Sequence, residues 1–339
     1  TIYWGNCLIP AFCFFLFCFA LTSAENKATC SICGKIVTSG KYLVSNGKIY
    51  CSEACFEKKL PKCSSCGKVV KGGYKSSDGR IFCSKECLSK SWPKCSLCGI
   101  QAQNGVLIGS DNGKFFCVNC ANKNRCFCCD LPVGCTILED GRYICLECSS
   151  SAIYAQDEFL KLANEVRKKM KDALSIGTNH NIQFRLVDLS MLGKITQSGY
   201  DSREMGAFKY ESETEKTVIK KQNLLGDIQT EIKNEKRTER FKIFVLNNLS
   251  KKKCIEVIAH ELAHDWMQEQ YPKINYSKIK EGWAEYVAWK VNELYGNNDL
   301  NYRIENNTDP TYGGGFRFIK KSVDENGYEK LMDFFANTN

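Results

Sequence analysis

The feature that most constrains this chain is a cysteine repeat between residues 30 and 148. One four-cysteine unit occurs four times, with a period of about 32 residues. Each unit opens with CxxC and closes with CxxC or CxxxC after 15 to 18 intervening residues. The sixteen cysteines are Cys30, Cys33, Cys51, Cys55, Cys63, Cys66, Cys83, Cys87, Cys95, Cys98, Cys117, Cys120, Cys126, Cys129, Cys145 and Cys148. This spacing is typical of zinc modules, and it predicts about four structural Zn²⁺ ions, each held by four thiolates.

The repeat units are too short to fold alone, because they bury too little apolar surface, so a metal ion supplies the missing stability. β-Prone segments between the cysteine pairs predict hairpins that turn at Asn46-Gly47 and Asp78-Gly79. Cys128 and Cys135 are left over in the fourth unit, and we interpret them as packing residues or alternate ligands. Disulfides are the alternative to zinc, since an exported chain would favour them. The regular CxxC pairs favour zinc.

A second motif, HELAH, spans residues 260–264 and contains two of the three histidines of the chain. Residues four apart share one face of a helix, so His260 and His264 can bind one metal ion while Glu261 contacts its water. Catalytic zinc takes three protein ligands and keeps one position open. We assign Glu281, in a following EG pair, as the third ligand, and Glu285 as a side chain that orients a ligand or replaces Glu281. The alternative is a buried helix whose histidines are only hydrogen-bonded.

Apolar periodicity supports two helices around this motif. The first has a stripe of Ile255, Ile258, Leu262 and Trp266, with Ser250 as N-cap and Pro272 as stop signal. The second has Trp283, Val287, Val291 and Leu294 on one side.

The segment between the cysteine repeat and HELAH predicts one amphipathic helix over 151–175 and then strands. The β-prone runs are residues 182–189, 206–210, 216–221 and 241–248. We expect the last run to lie in a small sheet and to lead into the HELAH helix. An edge strand of such a sheet can pair with an extended substrate.

The amino-terminal residues 7–21 form an uncharged apolar run that ends at Thr22-Ser23-Ala24. The pattern is typical of a signal peptide and favours the ER or secretion. A membrane contact is expected only if this segment is uncleaved, and a cytoplasmic protein is the alternative if it is an artefact.

Several segments together resemble one known family. They are PKCSSCG, PKCSLCG, RCFCCDLPVG, DGRYICLEC, AHELAHDW, the EG pair and TYGGGFRF at 311–318. From about Cys30 to the end, the chain resembles the LIM-type zinc-module peptidases that restrict organ size in plants, and their relatives in bacteria and other eukaryotes. HExxH followed by EG resembles the gluzincin ligand pattern. The resemblance implies tandem zinc-ribbon, LIM-like β modules followed by an α+β zincin-like (gluzincin) metallopeptidase domain, whose site is His260, Glu261, His264 and Glu281.

The chain also departs from that family. Its modules use cysteine alone where LIM modules include a histidine, and the first gaps between sites have seven residues. Residues 1–29 do not resemble the ubiquitin-interacting helices of the plant members, so activation by ubiquitin is not carried over. The predicted domains are a signal peptide or short anchor over 1–24, zinc modules over 28–60, 61–92, 93–123 and 124–150, and a metallopeptidase domain over 151–339.

The predicted function is a zinc metalloendopeptidase that cleaves proteins or peptides, with zinc modules that recruit substrates or protein partners. A catalytically silent zinc-module adaptor and a disulfide-held secreted binding protein are the alternatives. The net charge of +9 includes basic runs at 251–253 and 233–240, but acidic residues are interspersed, so we expect solvated surfaces and no nucleic acid.

Four further side chains receive provisional roles from the sequence. Tyr312 is a candidate donor to the oxyanion, or a structural aromatic residue in a glycine-rich turn. Arg317 binds a substrate carboxylate or caps a helix. Asp265 orients His264 or lies on the surface, and His180 is expected to be exposed and without a role.

Overall fold

The computed structural model describes residues 7–9, 28–37, 42–109, 113–132, 135–197, 204–222 and 228–338. It divides into two compact units, Thr1–Ile108 with Asn112–Lys123, and Gly109–Asp111 with Asn124–Asn339. The predicted signal peptide lies outside the described residues except for Cys7–Ile9. Among the helices of the described residues, none is both long and apolar enough to cross a membrane.

The first unit contains small antiparallel hairpins and short helices. Its elements are β1 (Cys7–Ile9), β2 (Ala28–Thr29), β3 (Ile36–Val37), β4 (Leu43–Ser45), β5 (Lys48–Tyr50), α1 (Glu53–Glu57), β6 (Gly73–Lys75), β7 (Ile81–Phe82), α2 (Lys85–Ser89), β8 (Gly105–Ile108), β9 (Lys114–Cys117) and α3 (Val118–Ala121). The predicted hairpins at Asn46-Gly47 and Asp78-Gly79 are confirmed. Asn46 and Gly47 have φ of 48° and 72°, as a tight turn between twisted strands requires.

The second unit begins with the fourth cysteine module and continues into a mixed α and β domain. Its elements are β10 (Cys135–Ile137), β11 (Tyr143–Cys145), α4 (Leu146–Ser149), α5 (Gln156–Leu174), β12 (Ile182–Val187), α6 (Leu189–Thr196), β13 (Gly206–Gln222), β14 (Ile228–Leu246), α7 (Lys251–Gln270), α8 (Ser277–Tyr295), α9 (Asn298–Glu305), α10 (Tyr312–Asn326) and α11 (Tyr328–Thr338).

A three-stranded sheet in the order β12-β14-β13 supports the HELAH helix α7. β12 is parallel to β14, and β13 is antiparallel to it. The predicted runs 206–210 and 216–221 form the single strand β13. The charged run 233–240, expected as a solvated face, belongs to β14. Opposite charges face each other across the β13–β14 strand pair. Lys242 forms an ion pair with Glu211, and Arg240 forms one with Glu213.

The two helices around HELAH are confirmed. The Ser250 hydroxyl accepts a hydrogen bond from the Lys253 amide, and α7 ends before Pro272. Trp283 and Val287 of α8 are fully buried. The helix predicted over 151–175 begins only at Gln156, since the backbone of residues 151–153 is hydrogen-bonded to residues 248–251 at the start of α7.

The glycine-rich turn expected at TYGGGFRF is wrong, because the segment opens helix α10. The glycines allow α10 to pack directly against α8. A Cβ on Gly282 would lie 2.4 Å from the carbonyl carbon of Gly315, so only glycine permits this approach of the two backbones. The packing places Tyr312, the first residue of α10, near HELAH.

Candidate metal sites

The cysteine repeat forms four zinc-binding sites in the described residues, each with the four cysteines of one repeat unit. The Sγ atoms of Cys33 and Cys51 are 3.5 Å apart, those of Cys66 and Cys83 3.6 Å, and those of Cys129 and Cys145 3.9 Å. Zinc–sulfur bonds of about 2.3 Å place neighbouring sulfurs of a tetrahedron about 3.8 Å apart. All described cysteines whose side chains are placed are free thiols, so the disulfide alternative is wrong for these modules.

Backbone amides stabilise the thiolate form of the first cysteine in each of the first three modules. Amide hydrogen bonds, first of all from Cys33, lower the pKa of Cys30 to about 6. Burial raises the pKa of Cys95, but amide donors that include Cys98 and Cys117 outweigh it and lower the pKa to about 6. The thiolate is the form that binds zinc. The amides therefore favour the first cysteine of these modules as a thiolate ligand.

Of the two extra cysteines of the fourth module, Cys128 lies outside the group of four possible ligands. Cys128 is buried, and its thiol donates to the carbonyl oxygen of Asn248 at 3.7 Å. Cys135 lies in β10, opposite Cys145 in the strand pair. The interpretation of Cys128 as a packing residue is confirmed.

A fifth group of possible metal ligands consists of His260 and His264 on α7 and Glu281 on α8. His260 Nε2 lies 3.2 Å from His264 Nε2 and 3.2 Å from Glu281 Oε2, and His264 Nε2 lies 3.4 Å from the same oxygen. Zinc bonds of about 2.0 to 2.1 Å place the donor atoms of a tetrahedron about 3.3 Å apart. These three side chains therefore fit one zinc ion and leave a fourth position for water.

The charges around these ligands favour a cation. Burial lowers the pKa of His260, but the carboxylates of Glu281 and Glu285 outweigh it and raise the pKa to about 9. Burial raises the pKa of Glu281, but the two imidazoles outweigh it and hold the pKa well below its usual range.

Glu261 lies against the edge strand β13. Its side chain is 5% exposed, and burial raises its pKa above the usual range. The backbone amide of Phe208 donates a hydrogen bond to the carboxylate. A Cβ on Gly206 would lie 2.6 Å from Glu261 Oε1, so the strand passes directly over the carboxylate. Sequence reasoning missed Gly206 and Phe208, because only the register of β13 places them here.

Glu285 and Tyr312 complete the surroundings of His260. Glu285 Oε1 lies 3.5 Å from Nδ1, the ring nitrogen of His260 that faces away from Glu281. The Tyr312 ring stacks beside the imidazole, with ring centroids 6.4 Å apart. Burial and then the carboxylates of Glu281, Glu204 and Glu261 raise the pKa of Tyr312, so its hydroxyl keeps its proton.

Both roles considered for Asp265 are wrong, as is the exposed position expected for His180. Asp265 is buried, and its carboxylate accepts a hydrogen bond from Thr178 and lies 2.8 Å from Nδ1 of His180. His180 is half-buried and stacks on Phe241, with ring centroids 3.7 Å apart. This cluster ties the loop before β12 to α7.

Arg317 lies outside the metal site. Its guanidinium donates to the backbone carbonyl of Glu305, the last residue of α9, at 3.5 Å and to that of Asn307 at 2.7 Å. Of its two predicted roles, the structure shows the helix cap.

The chain is distantly homologous to plant LIM domain proteins. It is 25% identical over 243 residues to Protein DA1-related 1 of Arabidopsis thaliana, an alignment that covers 58% of this chain and 44% of that protein. It is 23% identical over 246 residues to Protein DA1 of the same plant, with coverage of 59% and 45%. It is also 23% identical over 245 residues to LIM domain-containing protein HDR3 of Oryza sativa subsp. japonica, with coverage of 58% and 49%.

The chain spans about half the length of these relatives. No family model matches it, and no solved structure matches it. The homology confirms the LIM-type part of the resemblance predicted from the sequence.

Proposed function

We propose that this distant homologue of LIM domain proteins is a zinc-dependent metallopeptidase, with a zincin-like (gluzincin) domain that hydrolyses peptide bonds of protein substrates. One observation carries the proposal. His260, His264 and Glu281 converge with the spacing of three zinc ligands, while the buried carboxylate of Glu261 lies beside them. A site for structural zinc alone has no need of a carboxylate that is not a ligand.

His260, His264 and Glu281 would hold the zinc ion, which would supply Lewis-acid activation of a water molecule and of the carbonyl of the scissile bond. Glu261 accepts the proton of the water as its oxygen attacks the carbonyl carbon, and then transfers this proton to the nitrogen of the leaving amine. Burial raises the pKa of Glu261, and this makes the carboxylate a stronger proton acceptor.

The neighbours of this site have positioning roles in the proposed mechanism. The Glu285 carboxylate lies 3.5 Å from Nδ1 of His260, and its negative charge favours a proton on Nδ1, which leaves the Nε2 lone pair for a metal ion. The protonated hydroxyl of Tyr312 donates to the oxyanion that forms on the scissile carbonyl.

The position of β13 supports an extended substrate. β13 is an edge strand of its sheet, and its first residues contact Glu261. A peptide that adds to this edge as a further strand brings its backbone carbonyls past the metal site. In this proposal β13 binds the main chain of the substrate, and the zinc modules select the substrate protein by binding another part of it.

The test compares the zinc-replete full chain with its Glu261→Gln variant on a panel of denatured proteins. Glutamine keeps the shape of the side chain but cannot accept the proton, so we expect kcat/KM to fall by about 10²- to 10⁴-fold with the zinc content unchanged. Equal cleavage by both proteins contradicts the proposal. So does the absence of cleavage by a wild type that holds five zinc ions, a result that favours the silent adaptor.

A further inference from the structure

The fourth zinc module shares the hydrophobic core of the domain that carries HELAH. Its ligands Cys126, Cys145 and Cys148 belong to the same buried cluster as Val257 and Ile258 of α7. The first two modules have separate clusters of their own, around Tyr50 and Phe82. The fourth module thus packs as part of the second unit.

One side chain of this module holds the turn that precedes α7. Arg142 pairs with Asp140, and its guanidinium also donates to the backbone carbonyl and the side-chain oxygen of Asn247, both at 2.9 Å. The Arg142 side chain is only 4% exposed. Asn247 and Asn248 form the turn between β14 and α7, and Asn248 has a φ of +60°. A residue other than glycine keeps a left-handed backbone when the surrounding contacts hold it there.

The segment that follows Cys148 holds the same turn from its other side. The amide of Asn248 donates to the carbonyl of Ile153 at 3.0 Å, and the amide of Lys251 donates to that of Ser151 at 2.7 Å. The Cys128 thiol donates to the carbonyl of Asn248. Ser250, the N-cap of α7, lies between these contacts.

We propose that zinc in the fourth module fixes the start of α7 and thereby strengthens metal binding by His260 and His264. Zinc binding and folding are coupled in small four-cysteine modules, so loss of this ion releases Arg142 and Cys128 from the turn. The first turns of α7 then fray, and the two imidazoles lose their fixed spacing. The inference rests on the metal site of the proposed function, and it does not require peptidase activity.

Modules two and four provide a matched pair of arginines for the test. Each has an Asp-Gly-Arg turn, with Arg80 paired to Asp78 in module two, but the Arg80 side chain is 46% exposed. The experiment measures amide hydrogen exchange of residues 247–264 and zinc affinity of the histidine site in Arg142→Gln and Arg80→Gln full-length proteins.

We expect Arg142→Gln to speed exchange at the start of α7 by about tenfold and to weaken zinc binding at the histidine site by about tenfold, within the usual range of coupling between sites. Arg80→Gln should stay within about twofold of wild type for both quantities. Wild-type values for both quantities in Arg142→Gln overturn the inference.

A second pair keeps the inference testable if Arg142→Gln does not fold. Cys87→Ser should lose one zinc ion per chain and leave both exchange in α7 and the zinc affinity of the histidine site unchanged. Cys148→Ser should lose the ion of the fourth module, speed that exchange and weaken zinc binding at the histidine site. Wild-type exchange and wild-type affinity in Cys148→Ser contradict the coupling. A wild type with four ions instead of five contradicts the proposed function, and the exchange of α7 still decides the coupling.

Discussion

Glu281 Oε2 lies 3.2 Å from Nε2 of His260, although the two residues are 21 positions apart and belong to different helices. The close packing of α8 on its neighbours makes this approach possible. A carboxylate and an imidazole at this distance, with a second imidazole nitrogen beside them, form the face of a tetrahedron.

Glu281→Gln should remove zinc from this site, because the amide replaces the one negatively charged ligand. We expect the affinity to fall by at least about 100-fold and the zinc content to drop from five ions to four. Elemental analysis of the purified chain measures this. Glu293→Gln is the control, since Glu293 lies on the same helix but pairs with Lys290 at the surface. Five ions in the Glu281 variant would remove Glu281 from the ligand set.

Gly206→Ala should impair catalysis without loss of zinc. The new methyl group would lie 2.6 Å from Glu261 Oε1 and 2.6 Å from Val257 Cγ1, so the carboxylate must move. We expect kcat to fall by about 10- to 100-fold, because small displacements of catalytic groups have effects of that order. Steady-state kinetics together with zinc analysis measure both parts. Unchanged kcat would show that the strand does not position Glu261.

Two adjacent glycines of α10 should respond in opposite ways to the same substitution. Alanine at position 315 places a Cβ 2.4 Å from the Lys278 carbonyl oxygen, whereas at position 314 the nearest atom is 3.6 Å away. We expect Gly315→Ala to lower the free energy of unfolding by about 1 to 3 kcal/mol. Gly314→Ala should be neutral or raise it by up to about 1 kcal/mol. Thermal unfolding of both variants tests this, and equal midpoints would contradict the packing of α10 on α8.

Zinc affinity of the histidine site should depend on pH. Without metal, the pKa of His260 is raised to about 9, so zinc must displace a proton at lower pH. Below that value we expect the affinity to fall by about tenfold per pH unit, and above it to level off. Chelator competition from about pH 6 to about pH 10, corrected with the Glu281→Gln protein, measures the profile.

The Glu285→Gln variant tests the cause of this profile. Glu285 helps to raise the pKa of His260, so its neutralisation should move the break in the pH profile to lower pH. An unmoved break would mean that Glu285 does not act on the imidazole.

The cysteine modules and the HELAH helix were predictable from the sequence, because both depend on local spacing. CxxC pairs and residues four apart on a helix bring their side chains together whatever the rest of the chain does. Ser250 and Pro272 likewise act on the helix beside them.

Contacts that join distant segments were not predictable in this way. Asp265 contacts His180, which lies 85 positions away in the sequence, and no local pattern around either residue predicts this contact. The glycines at 313–315 favour a turn by local propensity, but the need for close packing against Gly282 places them in a helix. The charged segment 233–240 has no apolar alternation that would predict a strand, and it is a strand because it pairs with β13.

Product analysis in ¹⁸O-labelled water is the decisive test of peptide-bond hydrolysis at the histidine site. We expect the zinc-replete wild type to generate new amino termini in a denatured substrate and to place one ¹⁸O atom in each new carboxyl terminus. Glu261→Gln should yield neither product above background. No new termini from a wild type with five zinc ions, or the same termini from both proteins, would contradict the account.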